Sequence, residues 1–162
     1  MLNAGIRRPT PPPVTRIDFY ILPDAAPAKA PAPGGNAVMT ACKLCDKAAS
    51  AGQRVYVYTP DTAIADAMDS ALWSFRQGSF VAHERHTGAA VDPLPAVLIG
   101  GTEPPASHHA VLINFGESVP DFFSRFERVL EIVDGDAAQR AASRERYKFY
   151  RDRGYELGSH TL

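Results

Sequence analysis

The chain has 162 residues, 45% hydrophobic and 22% charged, with a formal net charge of −1. That is the make-up of one ordinary globular domain with enough length to bury a real core. It argues against broad, charge-driven nucleic-acid binding. No apolar run approaches the ~20 residues that cross a bilayer, no apolar stretch follows the N-terminal arginines as a secretory signal requires, and two cysteines make no disulfide framework. The expectation is a cytoplasmic protein with reduced thiols.

Residues 1–14 hold Arg7, Arg8 and four prolines and are expected to be a flexible leader to a single domain over 15–162. Ile17, Phe19 and Ile21 alternate with Asp18 and Tyr20, which predicts a first strand ended by Pro23. An Ala/Pro/Gly-rich loop follows to residue 36. The spacing of Val38, Cys42, Cys45 and Ala49 predicts a helix over 37–51, with Gly52 at its C-cap. Residues 54–58 alternate as a second strand. Thr59 is expected to cap the next helix, with Pro60 at its first position and Ile64, Met68, Ala71, Leu72 and Phe75 on its apolar face.

Residues 80–83 read as a short extended piece and 85–95 as an irregular loop. Val97-Leu98-Ile99 is a short apolar run ended by Gly100-Gly101, and 102–108 is a turn region. Residues 110–115 are apolar enough to predict a central strand covered on both faces. Over 120–133, Phe122, Phe123, Phe126, Val129, Leu130 and Val133 fall on one side of a predicted amphipathic helix. Asp134-Gly135-Asp136 ends it, and Asp136 is placed to cap a last helix. Strands alternating with helices imply an α/β fold: a single three-layer domain with a mostly parallel central sheet flanked by helices. The layering is Rossmann-like but carries no nucleotide fingerprint, since neither GxGxxG nor GxxxxGK[ST] occurs.

Candidate chemistry is sparse. Cys42-Lys43-Leu44-Cys45 is a CxxC, but both cysteines lie on the apolar side of the first helix, where a thiol behaves as a small hydrophobe. His83, His86, His108 and His109 have no accompanying ligands at metal-site spacing. Prolines after Gly100-Gly101 rule out a helix-opening phosphate loop. No catalytic residues, metal or cofactor are expected. Two surfaces remain. From Arg140 to Arg153 there are six basic residues against two acidic ones, a net +4, and Arg140, Arg144, Tyr147, Lys148 and Arg151 share one helical face suited to carboxylates or phosphates. The other surface surrounds Trp73, which is either core or an interface anchor.

The stretch Arg144-Glu145-Arg146-Tyr147-Lys148-Phe149-Tyr150 resembles the C-terminal helix of the chi subunit family of bacterial DNA polymerase III holoenzyme. Asp18-Phe19-Tyr20-Ile21-Leu22, Asp69-Ser70-Ala71-Leu72-Trp73 with Ser79-Phe80-Val81-Ala82-His83, and the run over 122–133 agree with the same family in the same order. The resemblance implies a non-catalytic accessory subunit of the polymerase. It would pair with the psi subunit of the clamp loader and grip the acidic C-terminal tail of the single-stranded DNA-binding protein, touching DNA indirectly. The tail-binding positions it implies are Val133, Arg140, Arg144, Tyr147, Lys148 and Arg151; Arg140 stands where lysine is usual. The psi-facing positions it implies are Trp73 and Phe80. The leader and the loop over 85–95 depart from the family pattern. A phosphate- or nucleotide-binding α/β enzyme using Arg144, Lys148 and Gly100-Gly101 is the alternative, and direct nucleic-acid binding by the basic helix is a third reading.

Overall fold

Short apolar strands make the centre of the structure, a computed structural model that describes residues 15–23, 35–78, 80–88 and 93–162. The predicted leader, most of the loop before residue 36 and part of the loop over 85–95 lie outside the described residues. The elements in chain order are β1 (Arg16–Ile21), α1 (Gly35–Ser50), β2 (Val55–Tyr58), α2 (Thr62–Ser74), β3 (His83–Arg85), β4 (Val97–Gly100), β5 (Val111–Asn114), a 3₁₀ turn (Phe123–Arg125), β6 (Arg128–Val133), α3 (Ala137–Asp152) and β7 (Glu156–Thr161). The strands form one sheet in the order β3-β4-β2-β5-β6-β1-β7, and every pair is parallel. β4 and β5 are buried along their whole length, as strands covered on both faces must be.

Side-chain alternation divides the core into two. On one face, Ala41, Cys42 and Cys45 of α1 and Met68 and Leu72 of α2 pack on Val57, Ile99, Ile113 and Leu130. On the other, Tyr150 of α3 with Phe123 and Phe126 packs on Ile17, Phe19, Tyr56, Leu112 and Val129. This is the three-layer arrangement expected.

Both cysteines are fully buried in the first layer. Burial pushes the Cys42 thiol up to about 12, and Cys45 is raised as well. The native protein should therefore resist a thiol-specific reagent at neutral pH and become labelled on unfolding. Rapid labelling of two thiols in the folded state, followed by absorbance of the released product, would contradict this packing.

Several expectations are corrected. Residues 120–133 are not a helix: a 3₁₀ turn covers Phe123–Arg125, and 128–133 is strand β6. Val129 and Val133 face one layer, while Leu130 and Ile132 face the other. An apolar run buried on both sides mimics a helical stripe, and β-branched Val129, Ile132 and Val133 favour the strand. α2 is capped by Asp61, whose Oδ1 accepts from the Ala63 amide at 2.9 Å. Thr59 stands two residues earlier, its hydroxyl accepting from the Asp61 amide at 3.1 Å, and Pro60 lies outside the helix. Arg85 belongs to β3 rather than to a loop. Asp136 caps α3 as expected, accepting from the Ala138 amide at 3.2 Å.

Strand β7 had no apolar signal. It is an edge strand held partly by charge. Asp18 of β1 is fully buried and accepts from Arg128 Nε of β6 at 2.9 Å and from Arg16 Nε at 3.2 Å, while His160 Nε2 of β7 lies 3.2 Å from its other oxygen. Burial alone would raise the Asp18 carboxyl, but its bonds to Arg128, His160 and Arg16 outweigh that and hold it below the usual carboxylate range. Gly158 sits opposite Asp18, and a Cβ there would come within 2.5 Å of Asp18 Oδ1. The glycine lets β7 close over the carboxylate.

Candidate functional site

α3 is seated by a buried polar cluster. Glu131 points from β6 toward the helix and is fully buried. One of its oxygens accepts from Arg146 Nε at 2.8 Å. The other accepts from the Tyr150 hydroxyl at 2.6 Å and from Asn114 Nδ2 at 3.0 Å. Arg146 Nη1 also donates to the Glu117 carbonyl at 3.1 Å, and Asn114 Oδ1 accepts from the Gly116 amide at 2.8 Å. Burial, reinforced by the Glu131 charge, pushes the Tyr150 hydroxyl far above the ordinary phenol range, so it remains a donor. Sequence reasoning counted Arg146 in the net charge of the helix, off its basic face. The structure turns it inward, 3% exposed.

With Arg146 and Tyr150 facing in, the helix repeat turns Arg140, Ser143, Arg144 and Tyr147 toward the β1–β7 side. There they roof a cavity of about 330 Å³. Phe19, Ile21 and Val133 give it an apolar floor, and Ser143 and Ser159 contribute hydroxyls at its sides. Tyr147 packs on Phe19 with ring centroids 5.3 Å apart and remains 38% exposed. Arg140 Nη2 donates to the Leu22 carbonyl at 3.2 Å, which fixes that guanidinium beyond the end of β1. Arg144 is exposed and has no ion pair among the described residues. An apolar floor under two guanidinium groups accommodates a ligand that is apolar at one end and anionic around it.

Four of the six residues singled out on sequence therefore line one cavity: Val133, Arg140, Arg144 and Tyr147. Lys148 and Arg151 do not line it. Both are exposed further along α3, where Arg151 lies 3.4 Å from Asp152. Phe19, Ile21, Ser143 and Ser159 were missed. The alternation in β1 put Phe19 and Ile21 on one face without saying what covered it, and nothing in the sequence marked Ser159.

Trp73 and Phe80 lie at the other end of the sheet, where α2 meets β3. They are 62% and 74% exposed, with ring centroids 6.0 Å apart, so Trp73 is a surface residue and not core. Gly100 is explained by packing, since a Cβ there would meet the Tyr56 hydroxyl at 2.6 Å. That hydroxyl donates to the Thr102 carbonyl at 2.6 Å. Among the described residues, no group of three or more His, Cys, Asp or Glu is placed to hold a metal ion. No helix is long and apolar enough to cross a membrane among them.

Residues 14–158 match the family model described as DNA polymerase III chi subunit, HolC. The chain is 38% identical over 149 residues to the DNA polymerase III subunit chi of Pseudomonas aeruginosa, covering 92% of this chain and 98% of that one. It is 28% identical to the subunits of the same name from Haemophilus influenzae, over 122 residues (75% of this chain, 85% of that one), and Escherichia coli, over 120 residues (74% and 82%).

Proposed function

The chain belongs to the DNA polymerase III chi subunit family, a component of the polymerase that replicates DNA, and on that premise we propose that it is a non-catalytic bridge. One end of the sheet docks on the psi subunit of the clamp loader. The other grips the acidic C-terminal tail of the single-stranded DNA-binding protein. The protein works in the cytoplasm and meets DNA through that partner.

The observation that carries the tail reading is the cavity under α3. The tail's apolar terminal side chain fits the floor of Phe19, Ile21 and Val133, with Tyr147 at its edge. Its carboxylates fit Arg140 and Arg144, and the residues before the end run past Lys148 and Arg151. From Arg144 to Arg151 the helix rises about 10 Å, which about three residues of extended peptide span. A nucleotide site of this layered fold would carry a glycine-rich phosphate loop, and neither GxGxxG nor GxxxxGK[ST] occurs in the chain, which favours the peptide. Titration calorimetry with an acidic peptide ending in a large apolar residue should give binding at one peptide per chain. A nucleotide that binds while the peptide does not would overturn the reading.

Trp73 and Phe80 support the psi reading, because an exposed, mutually packed aromatic pair is the usual anchor of an interface. Trp73→Ala should weaken psi binding about thirtyfold, or about 2 kcal/mol, and leave tail-peptide binding unchanged, since the two surfaces share no residue. The check is surface-immobilised psi against both proteins. Equal affinities would remove Trp73 from the interface.

A further inference from the structure

His83 lies beneath the aromatic pair, and its bonding is unusual for a histidine. Its side chain is fully buried. Nδ1 is 2.7 Å from the Val81 carbonyl oxygen. Nε2 is 3.1 Å from the Asp69 carbonyl oxygen and 3.1 Å from Asp69 Oδ1. Both nitrogens therefore face acceptors. A neutral imidazole has one N–H and satisfies one of the two sides; the imidazolium satisfies both.

Each partner carries one of the exposed aromatics. Asp69 is one helical turn before Trp73 on α2, and Val81 directly follows Phe80. The His83 ring also packs on Trp73, with centroids 4.7 Å apart at 62°. Asp69 is the charged group in contact with the ring. Elsewhere on α2, Asp66 is paired with Arg85 of β3; Glu84 is the next residue on that strand, and β4 presents Val97 opposite His83.

We infer that His83 is the positioning residue of the Trp73–Phe80 surface, a doubly donating ring that fastens the end of α2 to the segment carrying Phe80. This rests on the reading that the surface docks psi. The charged ring holds both sides. A ring with a single N–H would leave one acceptor facing a lone pair and open the clasp on that side.

The test uses the full-length protein. Nitrogen NMR of the histidine rings reads the protons on His83, and psi affinity is measured for the wild type and its variants. The expected result is two N–H groups on His83 in the native protein. His83→Gln should bind psi about fivefold more weakly, with tail-peptide affinity unchanged. Asp69→Asn, which keeps the backbone acceptor and removes the carboxylate, should weaken psi binding by a smaller factor and serves if the glutamine variant does not fold. A single N–H on His83, or variants that retain the wild-type psi affinity, would overturn the inference. If instead Trp73→Ala leaves psi binding intact, the docking reading fails, and the ring protons still decide whether His83 clasps α2.

Discussion

Arg146→Ala should cost about 3–5 kcal/mol of stability, because it leaves the Glu131 carboxylate buried without its counter-charge. Glu131 has no access to water, and its remaining donors, Tyr150 and Asn114, are neutral. In a domain of this size such a loss lowers the melting temperature by about 10 °C. Lysine should rescue little, because the site uses the planar geometry of the guanidinium: Nε bonds Glu131 while Nη1 reaches the Glu117 carbonyl. Changing both Arg146 and Glu131 to apolar residues of similar volume should be much milder than Arg146→Ala alone, since no unpaired charge remains. Urea unfolding of the three variants separates these outcomes. An unchanged midpoint for Arg146→Ala would mean that the cluster does not hold α3.

That cluster also shows where sequence reading stopped. The alternation over 17–21 and 55–58, the apolar run over 110–115 and the Asp136 cap each follow from local chemistry, and the strands and α3 appear where those signals put them. The basic face of α3 was equally legible, but its charge was overcounted. Arg146 falls off the face shared by Arg140 and Arg144, but only a carboxylate brought from β6, fifteen positions away in sequence, turns it inward. Strand β6 was misread for a related reason. A strand buried on both faces loses its period-2 pattern, and Phe122, Phe123 and Phe126 ahead of it complete a helical stripe by coincidence. β7 is polar and edge-lying, stabilised through Asp18 and Gly158, so its pairing exists in three dimensions and not in its own composition. The cavity combines residues from β1, β6, α3 and β7, two of which were misassigned or unseen. Its cations were legible, and of its floor only Val133 was.

Arg144→Ala and Lys148→Ala should each weaken tail-peptide binding about tenfold, equal to about 1.4 kcal/mol, and together by more. Arg144 stands at the cavity and Lys148 one turn beyond it, so in the proposed tail complex the first would meet the tail's end and the second an acidic residue before it. Charge-assisted bonds of this kind are worth about 1.5–3 kcal/mol when well formed. Exposure of both side chains puts the expected effect at the low end of that range. Raising salt should imitate the double variant, because exposed charges are screened beyond about 8–10 Å. Deleting the peptide's terminal apolar residue should cost about as much as either substitution, since the floor of Phe19, Ile21 and Val133 would then stay wet.

The most direct measurement is titration calorimetry of an acidic peptide ending in a large apolar residue against the native protein, the Arg144→Ala/Lys148→Ala double variant and Trp73→Ala. Binding that is tight for the native protein and Trp73→Ala but more than tenfold weaker for the double variant is the predicted result. Equal affinity in all three, with circular dichroism showing the double variant folded, would contradict a tail site under α3.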